Sequence, residues 1–78
     1  MKQFVIKKDA PKTSEIQSDG TLFYVFGAKS GISVGDALFH EASGKTFVVR
    51  ELMDDRSCDA KEADPVDLIR MIANGMEQ

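Results

Sequence analysis

Thr21-Leu22-Phe23-Tyr24-Val25-Phe26 is the most apolar run in the chain, and it lacks the alternation that would turn one side to water. A strand of this pattern calls for cover on both faces, which places it centrally in a sheet or at a subunit interface. The chain has only 78 residues. A domain that small builds few layers and buries only roughly 60–65% of its open-chain surface. If its own elements cover one side of the run, the other side stays exposed as an interface. Phe23, Tyr24, Val25 and Phe26 are the residues expected to carry it.

The other segments read more locally. Lys2 to Lys8 is a short edge strand whose flanking lysines discourage pairing with other molecules. Asp9 to Gly20 reads as a polar loop closing on an Asp-Gly turn. Gly27, Gly31 and Gly35 break the chain at intervals of four and mark a tight corner. Asp36 to Met53 forms a hairpin around Glu41-Ala42-Ser43-Gly44-Lys45, with Gly44 left-handed in a bulge. That turn pairs Glu41 with Lys45, Phe39 with Phe47 and Ala37 with Val49, and sends Ala37, Phe39, Phe47 and Val49 into the core. Asp54 to Ala63 has no apolar period and reads as an acidic loop. A helix then begins with Asp64 as N-cap and Pro65 in its first turn, and Gly75 is expected to end it with Met76 folded onto Met71. Its apolar arc, Val66, Leu68, Ile69, Ile72 and Ala73, is expected to face the rest of the protein.

This order predicts one domain over residues 1–78, of α+β class: a small twisted antiparallel sheet or partly open β-barrel of about four to five strands, with the C-terminal helix packed on it. The stretch Gly31-Ile32-Ser33-Val34-Gly35-Asp36 resembles the bend in small β-barrels such as the second domain of translation GTPases. Over these six residues, the resemblance implies a barrel corner and no activity.

Familiar chemistries fail on spacing. Gly44-Lys45-Thr46 is the tail of a P-loop, but Phe39 stands where its first glycine belongs and strand residues follow instead of a helix. An EF-hand-like calcium loop starting at Asp55 puts Ala60 at the turn glycine and Val66 at the closing glutamate. Cys58 and His40, the single cysteine and histidine, cannot supply a four-ligand zinc site. Carboxylates around Cys58 would raise its thiol pKa and blunt it as a nucleophile. No catalytic residue, cofactor or metal is therefore assigned, and the chain is read as a non-enzyme.

Charge divides unevenly. There are seven Lys/Arg against five Asp/Glu through Arg50, then three against eight from Glu51 onward. Asp54, Asp55, Asp59 and Glu62 form the acidic concentration, a candidate electrostatic contact. The lone cysteine closes no intramolecular disulfide, and no apolar stretch has the length of a signal peptide or a membrane span, so the expected location is the cytoplasm. The function expected is a small protein-binding or self-associating module, its partner a second copy or another protein. Compact, motif-free chains of this kind are common among accessory proteins of phages and mobile elements. The alternative is a small β-barrel binding single-stranded nucleic acid through Lys2, Lys7, Lys8 and its aromatic residues, against which the net charge of −3 weighs.

Overall fold

The computed structural model describes residues 2–9, 13–27 and 29–76, with side chains as far as Ala73. Its elements are β1 (Gln3–Ile6), β2 (Ser14–Ile16), β3 (Leu22–Val25), β4 (Ala37–His40), β5 (Lys45–Leu52), β6 (Ser57–Glu62) and α1 (Pro65–Met76). The strands form one curled half-barrel sheet in the spatial order β1-β4-β5-β6-β3-β2. The α+β class and the partly open barrel are as expected, with six strands instead of about four to five. The sheet is mixed: β1 runs parallel to β4, and the other pairings are antiparallel. Parallel neighbours need a long connection. Here the chain leaves Ile6, builds β2 and β3 at the far end of the strand order, and returns through the glycine corner to Ala37.

The two additional strands lie in segments that read as loops. β2 falls inside the Asp9 to Gly20 stretch, and β6 inside the acidic stretch. β6 is central, pairing with β5 on one side and β3 on the other. Its inward residues are Cys58 and Ala60, both fully buried. Small side chains suffice there because the sheet is tightly curled, so the strand carries none of the β-branched residues that usually announce one.

The concave face holds the core: Ile6, Leu22, Leu38, Phe47, Val49, Cys58 and Ala60, with Ile32 from the corner. Ser14 Oγ and His40 Nε2 are 3.1 Å apart, joining β2 at one end of the strand order to β4 near the other. This bond is a measure of how far the sheet has curled.

The hairpin forms with Gly44 left-handed at φ 72° as expected, but its register differs by one residue. His40 pairs with Lys45, Phe39 with Thr46, Leu38 with Phe47 and Ala37 with Val48. Glu41 is not free to pair with Lys45: its N–H donates to Ile6 O of β1, and its carboxylate accepts the Lys8 N–H. The turn closes instead through Gly44 N–H to His40 O at 2.9 Å. A one-residue slip exchanges the faces of one strand. Leu38 therefore points into the core, and Phe39, expected there, lies on the convex side.

The N-terminus of α1 matches its sequence signals. The Asp67 N–H donates to Asp64 Oδ1 at 2.9 Å, and the Asp64 N–H donates to Asp67 Oδ2 at 3.2 Å, a reciprocal capping box. Asp64→Ala should cost about 1 kcal/mol, read as a lower melting temperature together with faster amide exchange confined to the first turn of α1. The helix continues through Gly75 to Met76 instead of ending there. The expected fold of Met76 onto Met71 lies outside the described side chains.

Candidate interaction surface

The orientation of α1 is the least expected feature of the molecule. Lys61, near the end of β6, reaches Asp67 at 3.4 Å and Asp64 at 3.9 Å. These contacts turn Asp67 inward, where it is buried, and one turn later Met71 follows on the same side. Met71 lines a groove with Val5, Ala37, Phe39 and Thr46 of the convex face. The expected core arc consequently points outward: Val66 is 56% exposed, Ile69 65% and Ile72 64%. The capping hydrogen bond to Asp64 and the Lys61 ammonium hold the Asp67 carboxyl below the usual carboxylate range.

The β3 run divides by strand alternation. Leu22 is fully buried, and Tyr24 and Phe26 pack from the concave side against the core with ring centroids 5.8 Å apart. Phe23 and Val25 point the other way and are 36% and 42% exposed. They line one groove with Thr13 and Glu15, and Phe23 continues into a second of about 420 Å³ bounded by Asp19, Arg50, Glu51, Met53 and Asp59. The run expected to need cover on both sides thus has its own chain on one side and open surface on the other.

The four acidic residues singled out by sequence do not form one patch. Asp54 organises the β5–β6 turn by accepting hydrogen bonds from Arg56 N–H (2.7 Å) and Ser57 Oγ (2.9 Å), which lower its pKa. Asp55 lies in the same turn. Asp59 is paired with Arg50 across the sheet, and Glu62 with Lys45 at 3.4 Å. Of the basic candidates, Lys2 bonds Gly31 O and lies 3.8 Å from Asp36, Lys7 is 3.8 Å from Glu41, and Lys8 is exposed. They sit at the β1 end of the sheet, and Phe23 sits near the other end of the strand order.

Cys58 and His40 each have neighbours of their own. Both His40 nitrogens face serine hydroxyls, Ser14 at 3.1 Å and Ser43 at 2.7 Å. Cys58 faces Tyr24 on one neighbouring strand and Leu52 on the other. Burial, more than the Asp59 charge, pushes its thiol up to about 11. An ordinary thiol reagent at pH 8 should therefore modify Cys58 only after unfolding, which a titration with and without denaturant reads directly. The folded protein favours the neutral thiol, so this contribution to stability is complete below the unfolded pKa near 9 and is lost as pH rises toward 11. Among the described residues, no group of three or more His, Cys, Asp or Glu side chains comes together as a metal site would. No helix among them is long and apolar enough to cross a membrane.

By its apolar spacing alone the outward arc of α1 belongs in the core. The available signal was Lys61, Asp64 and Asp67 at spacings of three, which can fix the polar side of a helix against a strand end. No model of a known protein family, no curated protein and no solved structure matches this chain.

Proposed function

We propose that this chain is a small non-catalytic module that acts by associating with protein, itself included. The observation that supports this reading is the outward presentation of Val66, Leu68, Ile69 and Ile72 on a helix whose opposite side is anchored by Asp67 and Met71. Soluble monomers rarely leave apolar side chains of this size grouped in water, and exposed groups of this kind mark interaction sites. Phe23 and Val25 add a second apolar stripe on the sheet. A cytoplasmic setting fits a single buried thiol that stays un-ionised.

The direct test is light scattering coupled to size exclusion, run over a concentration series up to about 100 µM, a range that detects dissociation constants tighter than that value. A mass above the 8.6 kDa of one chain, rising with concentration, is the expected result. A monomer at every concentration, together with no protein retained by an immobilised chain, would remove the reading.

A further inference from the structure

We propose that α1 is a two-position helix. While Lys61 grips Asp67 its apolar arc faces outward; when that grip is lost the helix rolls about its own axis and lays the same arc into the groove beside it. The roll withdraws the surface, so the proposal rests on the associative reading above and adds how that surface is offered.

Helix and groove are neighbours in the fold. Met71 lines the groove of about 440 Å³ together with Val5, Ala37, Phe39 and Thr46. Two of its large apolar side chains are poorly covered, Val5 at 51% exposure and Phe39 at 38%. Asp67 and Met71 lie one turn apart on the side of α1 toward the sheet. Ile69, two residues from each, lies on the opposite side, because two residues turn a helix by roughly 200°. A roll of roughly 180° exchanges Asp67 and Met71 for Ile69, with Val66 and Ile72 one turn away on either hand.

The attachment that keeps the arc outward is slight. Among the described residues, α1 shares little contact with any strand. Its polar tie is Lys61, 3.4 Å from Asp67 and 3.9 Å from Asp64. The capping box between Asp64 and Asp67 lies within the first turn and travels with the helix. The Ala63 N–H donates to Thr46 O at 2.9 Å and fixes the chain just before it, so the pivot is the link from Ala63 to Asp64.

The two positions trade comparable contacts. Outward, the helix covers Met71 and pairs Asp67; inward, it covers Ile69 and opens both. Loss of Lys61 shifts this balance in one direction only. Asp67 is 8% exposed, and without the ammonium it is a buried carboxylate facing the sheet with no cation. Turning such a charge out to water is favoured, and the roll that does so carries the apolar arc inward.

The test reads the two sides of α1 separately, in dilute solution. Ile72→Cys puts a thiol on the arc for labelling by a maleimide, and Met71 reports the other side through sulfoxide formation in hydrogen peroxide. Peptide mass spectrometry resolves both. Fully buried Cys58 reports global unfolding in the same samples, and exposed Met53 gives the reference oxidation rate. Adding Lys61→Met should slow labelling of the introduced thiol at least about tenfold, speed oxidation of Met71 relative to Met53, and leave Cys58 protected. Adding Asp67→Leu as well removes the buried charge and should return both rates toward those of the parent. If both rates rise with Lys61→Met, the helix frays instead of rolling; if neither moves, Lys61 does not hold it. Either result overturns the proposal. These rates are read on single chains and the association by light scattering, so an associating protein with unmoved rates keeps the broader reading and loses this one. Opposite changes in a chain that binds nothing would leave the motion and overturn its role.

Discussion

Phe47→Ala should remove a large part of the stability of the folded protein. Phe47 is the largest fully buried side chain, on β5 beside Leu38 of β4, and the His40 ring meets it edge-on at 6.3 Å. Removing a buried phenyl ring typically costs about 3–5 kcal/mol, because the cavity closes only partly. A chain of this length has a total stability of about 4–12 kcal/mol, so the loss is a large fraction of what is present. In thermal melts the midpoint should fall by about 15–30 °C. Phe39→Ala is the informative control. Phe39 lies on the convex side and is 38% exposed, so its truncation should cost well under half as much. Equal losses at the two positions would mean that both rings are in the core, and would sink the observed hairpin register in favour of the one that pairs them directly.

That comparison also marks where sequence reading reached its limit. The Gly44 turn, the Asp-Gly turn at Gly20, the glycine corner and the Asp64 cap were legible because each is decided by a few adjacent residues. The hairpin register was not, because it depends on what Glu41 does: Ile6 of β1 claims its N–H and Lys8, just past β1, its carboxylate, from 33 positions or more away in sequence. β6 was hidden for another reason: its inward residues are Cys58 and Ala60, chosen for the narrow interior of a curled sheet, and alternation with Ser57, Asp59 and Lys61 reads as a polar loop. Of the candidate interface, Phe23 and Val25 emerged on the open side, while strand alternation turned Tyr24 and Phe26 toward the core. The helix was found with its cap but not its orientation. Apolar arcs usually face inward, whereas here the inward side of the helix is the one that carries Asp67 and its contact with Lys61.

Asp36→Ala should produce the second large loss, from a residue with no apolar contribution to the core. Asp36 is 5% exposed and sits where the glycine corner enters β4. One carboxylate oxygen accepts the Lys2 N–H at 3.1 Å, at the start of β1, and the other accepts the Ser33 N–H at 2.9 Å inside the corner. The Lys2 ammonium adds a charge 3.8 Å away. The side chain thus brackets two segments more than thirty residues apart, at the point where the parallel β1 joins the sheet. Alanine leaves two N–H groups without acceptors in a part-buried site, and each such loss costs about 1–3 kcal/mol, for a total of about 2–4 kcal/mol after partial rehydration. Asparagine keeps one acceptor and turns an amide donor toward the other N–H, so it should fall between alanine and wild type. Hydrogen exchange separates this account from a general loss of packing: protection should drop first at Ser33 and along Gln3–Ile6, while the β5–β6 ladder keeps its wild-type rates until global unfolding. Uniform loss of protection, or an alanine variant within about 0.5 kcal/mol of wild type in urea melts, would show that the bracket does not hold β1 in place.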